Sequence, residues 1–201
     1  MRRLFLATAL AASIGSFGCS SSSGGSPAPG GDGGADGAGA CVPYDAGPSS
    51  ALQAPTTSFK DDVMPVFALS CGFVAGCHDN PSGQPLEYLG APTDAGGLPS
   101  AALIQQVYAG IVGTPTIEDP SMPFVTAGDP SRSFVMRKLD DDLCALEHEC
   151  AANNALYQQY ASKAPSFTSP CGIAMPSGLP LLEQTQLDTI RRWIAQGALN
   201  N

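Results

Sequence analysis

The chain has 201 residues, with 9 Lys and Arg against 18 Asp and Glu and a formal charge of −9. An acidic balance of this size excludes electrostatic binding of nucleic acid, which needs basic patches. After the N-terminal segment no apolar run is long enough for a membrane helix, and 2 histidines leave little with which to build a nucleophile–base set.

Arg2 and Arg3 precede the uncharged run from Leu4 to Ile14. This is the pattern of a signal peptide, assigned to residues 1–18, and it is too short to span a bilayer. The following Ser16-Phe17-Gly18-Cys19 is similar to a lipobox, with Ser16 where Leu is usual. Cys19 is therefore the expected lipidation site and mature N-terminus, the alternative being ordinary cleavage that leaves it a free thiol. Loss of Arg2 and Arg3 takes two positive charges from −9 and leaves −11. The expected location is outside the cytoplasm, as a periplasmic, outer-membrane or cell-surface lipoprotein held to the membrane by its N-terminal lipid. Residues 19–58 are rich in Ser, Gly and Pro. They are expected to form a disordered linker, because so little apolar surface cannot offset the chain entropy. Within it, Cys41-Val42-Pro43-Tyr44 is a candidate for the first touch on the folded domain.

Residues 59–201, about 140 in all, suit one domain with one modest core. Ser58 can cap a helix with Phe59, Val63 and Phe67 on one face and Asp61 and Asp62 in its first turn, interrupted by Pro65. Ser100 starts a second helix with the stripe Leu103, Val107 and Ile111. Asp129-Pro130 is a helix start, followed by the apolar Phe134, Val135 and Leu139. A helix over 151–161 centres on Leu156 and Tyr160. The strongest periodicity lies over 182–196, where Leu187, Ile190 and Ile194 form a stripe broadened by Trp193, and Gly197 is placed to end it. No alternating strand pattern competes. The predicted fold class is mostly α, a disulfide-supported bundle of short helices with long irregular loops.

The chemistry concentrates in Cys71-Gly72-Phe73-Val74-Ala75-Gly76-Cys77-His78. Two cysteines followed at once by His suit covalent haem attachment: each thiol adds to a vinyl group and the His meets the iron. The spacing here is C-x5-C-H, longer than the usual C-x-x-C-H. Gly72 and Gly76, lacking Cβ atoms, would let the extra residues loop out. A Cys71–Cys77 disulfide with His78 merely adjacent is the competing reading.

Taken with their context, these residues resemble the class I c-type cytochromes, in particular exported lipoprotein versions from soil bacteria. The resembling stretches are Phe59-Lys60-Asp61-Asp62-Val63-Met64-Pro65-Val66-Phe67, the Cys77-His78 pair, Cys171-Gly172-Ile173-Ala174-Met175-Pro176, and the ending Trp193-Ile194-Ala195-Gln196-Gly197-Ala198. The middle of the domain, residues 79–170, matches only through Gly128-Asp129-Pro130 and the helix after it. The resemblance implies a cytochrome c-like domain carrying one covalent haem c on Cys71 and Cys77. His78 would be the proximal ligand through Nε2, its Nδ1–H held by a backbone carbonyl from Pro92 or Pro85, and Met175 the sixth ligand. With both axial positions of the iron filled by His78 and Met175, the implied activity is one-electron transfer to a redox protein partner rather than catalysis. The alternative is a haem-free, disulfide-stapled structural or binding lipoprotein on the same frame.

Other sulfur groups have competing readings. Met122, in a second Met-Pro pair with Pro123, is the runner-up axial ligand, whereas Met64 and Met136 sit in apolar helical patterns and are expected core filler. Cys41, Cys144, Cys150 and Cys171 form an even set for two disulfides in any of three connectivities. A zinc site from Cys144, His148, Cys150 and Cys171 is the other use of the same residues.

Overall fold

A computed structural model describes residues 41, 43–73, 78–80, 87–90, 100–160, 169–177 and 179–201. Among these the protein is helical, with two isolated bridges, Val112 with Val125 and Pro115 with Pro123, in place of any strand. The mostly α class is therefore observed, and two disulfides support it: Cys41–Cys144 and Cys150–Cys171. They span 103 and 21 positions of sequence. Their formation rules out the zinc site, since three of its four ligands are consumed.

The first helical segment shows how Pro65 is accommodated. Ser58 Oγ accepts the Asp61 N–H, and Asp62 Oδ2 accepts the Ser58 N–H. The chain then makes a π-helical turn, Phe59–Val63, before the α-helix α2 begins at Met64–Ser70. The wider turn moves Pro65 into the first turn of α2, where its missing N–H costs no hydrogen bond. Asn201 completes the cap, its side-chain oxygen accepting from Phe59 N and its carbonyl from Lys60 N.

The remaining helices follow their caps. Ser100 Oγ accepts from Leu103 N at the start of α3, Ala101–Ile111. Its buried stripe is Ile104, Val107 and Ile111, with Leu103 only partly buried. Asp129 caps a separate 3-10 turn, Pro130–Arg132, and α4, Phe134–Leu139, restarts after Ser133. The helix expected over 151–161 is two helices, α5 (Glu147–Asn153) and α6 (Ala155–Tyr160), preceded by the 3-10 turn Cys144–Leu146. Asn154 breaks them apart and its Oδ1 accepts the Tyr157 N–H. Leu156 is exposed rather than central.

The closing helix α7, Gln184–Ala195, begins with a capping box between Glu183 and Gln186. It ends where Ala198 N bonds to Trp193 O and Gly197 N to Ile194 O, the paired bonds of a Schellman motif, with Gly197 at φ +99. Trp193 is fully buried, stacks on Phe59 at 5.0 Å between centroids, and donates Nε1–H to Leu199 O. Phe59 in turn meets Tyr108 of α3 edge-on at 5.4 Å. These rings sit in the main core, to which Met64 and Met136 belong as expected. A second cluster of Phe134, Leu143, Leu146, Cys150 and Cys171 lies beside it.

The domain also extends further toward the N-terminus than residue 59. Residues 43–58, assigned from sequence to the linker, include the short helix α1 (Ser49–Leu52). Tyr44 OH donates to Asp140 Oδ2, and the Arg137 guanidinium lies over its ring. Thr57 is buried, and Gln196 clamps the segment through Thr57 N, Leu52 O and Pro55 O. The physical reason is that the arm is held by one ring, one disulfide and side-chain amide bonds rather than by an apolar stripe.

Candidate functional site

Helix α2 delivers Cys71. The N–H groups of both Cys71 and Gly72 bond to Phe67 O, closing the helix and turning the chain. Cys71 packs against the main core and belongs to neither disulfide. Burial pushes its thiol up to about 12, so it is a neutral SH at physiological pH. Residues 74–77, including Cys77, lie outside the described residues, as do Cys19, Pro85 and Pro92.

His78 re-enters beside Cys71, its N–H donating to Cys71 O at 3.3 Å. Its carbonyl accepts from Leu89 N at 3.0 Å, so the chain runs back alongside itself. That pairing brings Glu87 O to 2.7 Å from His78 Nδ1. A carbonyl can only accept, so Nδ1 carries the proton and Nε2 keeps its lone pair. The backbone carbonyl expected opposite Nδ1 is thus present but belongs to Glu87, not to Pro85 or Pro92. Burial lowers the His78 pKa and favours this neutral tautomer, the form in which imidazole binds a metal.

Met175 lies about 100 residues further along the chain. It is partly buried against the main core, as Cys71 is. Met122 instead packs on the second cluster, near Cys150 and Cys171. The two Met-Pro pairs are thereby separated: Met175 shares a core with the helix that carries Cys71, and Met122 does not. The chain before Met175 is tied down by the Cys150–Cys171 disulfide and by Asn154 Nδ2, which donates to Pro170 O at 2.7 Å. Met175 N donates to Lys138 O at 2.9 Å.

Lys138 was not singled out by the sequence reading. Its amine hydrogen-bonds Cys171 O and Ile173 O and pairs with Glu118 Oε1 at 3.4 Å. Burial lowers its pKa, against the pull of Glu118. Burial also raises the Glu87 carboxyl, with Glu118 adding to the rise. Lys138, Glu118 and Asp79 are the charges that act on His78. A signal for Lys138 existed: it follows Phe134 by one helical turn, on the apolar stripe with Val135 and Leu139. Glu87 offers only its backbone, which no sequence pattern marks.

His148 is exposed on α5. A groove of about 580 Å³ lies elsewhere, between the N-terminal arm and α7, lined by Tyr44, Asp140, Asp188 and Arg191 among others and by none of the predicted site residues. No family model, curated protein or solved structure matches this chain.

Proposed function

We propose that the protein is a haem c-binding, one-electron carrier tethered outside the cytoplasm by a lipid on Cys19. Cys71 and Cys77 would attach one haem covalently, His78 would hold the iron through Nε2, and Met175 would fill the sixth position. The observation that carries the reading is the 2.7 Å contact between His78 Nδ1 and Glu87 O. It fixes ring orientation and tautomer together, and it is the outer-shell partner that a ligating His requires. Two further facts support it: among the described residues Cys71 is a free thiol beside His78, and Met175 packs on the same core as Cys71. Bound haem would supply reversible one-electron chemistry, and the thioether would favour the ferrous state. The protein's own part is to keep both ligands from moving when the iron changes charge.

The alternative, a haem-free disulfide-stapled lipoprotein, draws on the two disulfides and the densely packed core. Variants matured with haem-attachment machinery separate the readings. His78→Ala is expected to abolish the low-spin spectrum even where thioether attachment survives. Met175→Ala is expected to open the ferrous iron to carbon monoxide, and Met122→Ala to leave it closed. An unchanged spectrum in His78→Ala would remove the ligand assignment. If only Met122→Ala opens the iron, the sixth ligand is Met122.

A further inference from the structure

Lys138 breaks the pattern of its helix. It occupies an apolar stripe and is 6% exposed, a position where an ammonium group is costly unless its hydrogen bonds are all directed. They are directed at one piece of chain. The amine bonds the carbonyls of Cys171 and Ile173, the Lys138 carbonyl takes the Met175 N–H, and Glu118 supplies the counter-charge. Gly172 sits between these contacts at φ +76, and a Cβ there would come within 2.6 Å of the Lys138 amine. Only glycine lets the backbone reach the amine this closely. Residues 171–175 therefore form a strap, fixed at one end by the Cys150–Cys171 disulfide and along its length by Lys138. An aliphatic side chain of similar length would fill the same space and leave both carbonyls without this donor.

We propose that Lys138 is a positioning residue: its amine holds the 171–175 strap in place and so keeps Met175 fixed as the sixth ligand. This rests on the haem reading. Removing charge-assisted bonds of this kind raises the population of an open strap by about tenfold to a hundredfold. In the haem-loaded protein, Lys138→Met should weaken the red absorption band of Met–iron ligation and speed carbon monoxide binding to the ferrous form by that factor. In the haem-free, disulfide-intact protein, exchange of the Met175 amide should accelerate by the same factor. Gly172→Ala, which displaces the amine without removing it, should act in the same direction. It should add less in the Lys138→Met background, where the new Cβ has no amine to meet. Glu118→Gln keeps an acceptor for the amine and should leave the band in place. Lys138→Met with unchanged band, carbon monoxide kinetics and amide exchange overturns the proposal. Wild-type protein that never acquires haem overturns the haem reading instead, and unchanged amide exchange in haem-free Lys138→Met then overturns the strap role independently.

Discussion

Tyr44 shows how a single side chain can secure a segment whose composition is that of a tether. Its hydroxyl lies between Asp140 and Arg191, with Asp140 also bound by two Arg191 contacts of 2.7 and 2.9 Å. Burial raises the Tyr44 pKa to about 12 from a usual value of 10.0. The folded state thus prefers the neutral phenol. The contribution is complete below pH 10, where the unfolded chain also holds its proton, and is lost as pH rises through about 12. Urea unfolding followed from pH 8 to 12 should show an alkaline loss of stability that is smaller in Tyr44→Phe. Identical alkaline slopes in the two proteins would place Tyr44 in solvent. The sequence marks Cys41 to Tyr44 as a candidate first touch on the folded domain, but not the partners that anchor residues 43–58, because those contacts join residues 96 to 147 positions apart. For His78 the limit is different: its ring partner is a backbone carbonyl, which no side chain marks, brought near by the pairing of His78 with Leu89.

At the level of elements, what could be read was what depends on neighbours in sequence. Ser58, Ser100 and Asp129 cap where their side chains predict, and Gly197 ends α7 with a positive φ. The π turn before Pro65 and the break at Asn154 were not readable as such. A proline signals disruption without stating which winding absorbs it, and an asparagine inside a helical pattern becomes a cap only when its oxygen turns back to the next helix. The closing helix α7 buries Leu187, Ile190, Trp193 and Ile194. Trp193 is fully buried against Phe59, so Trp193→Ala should cost about 3–5 kcal/mol. Trp193→Phe, which retains a ring opposite Phe59, should lose less. Urea midpoints at constant m-value test this order. A loss below about 1 kcal/mol for the alanine variant would mean that α7 does not organise the core.

For the molecule as a whole, the two disulfides divide the work of holding a loop-rich chain. Their presence fits an oxidising compartment, and among the described residues no helix is long and apolar enough to cross a membrane. Cys41–Cys144 spans 103 positions and Cys150–Cys171 spans 21. Loop-closure entropy assigns about 4.7 kcal/mol to a loop near 100 residues and roughly 3 kcal/mol to a short one. Cys41→Ser with Cys144→Ser should therefore lower stability more than Cys150→Ser with Cys171→Ser, as judged by urea unfolding. The second pair should have the larger effect on the Met175 strap, which begins at Cys171. A reversed order of stabilities would show that native-state packing around Cys150 and Cys171 outweighs chain entropy.

Intact-mass spectrometry of protein matured with haem-attachment machinery tests the proposed covalent haem on Cys71 and Cys77. The expected result is a single haem adduct that survives acid–acetone extraction, mapped to the peptide bearing Cys71, Cys77 and His78. Matured protein with no adduct, or with Cys71 and Cys77 joined to each other as a disulfide, would contradict it.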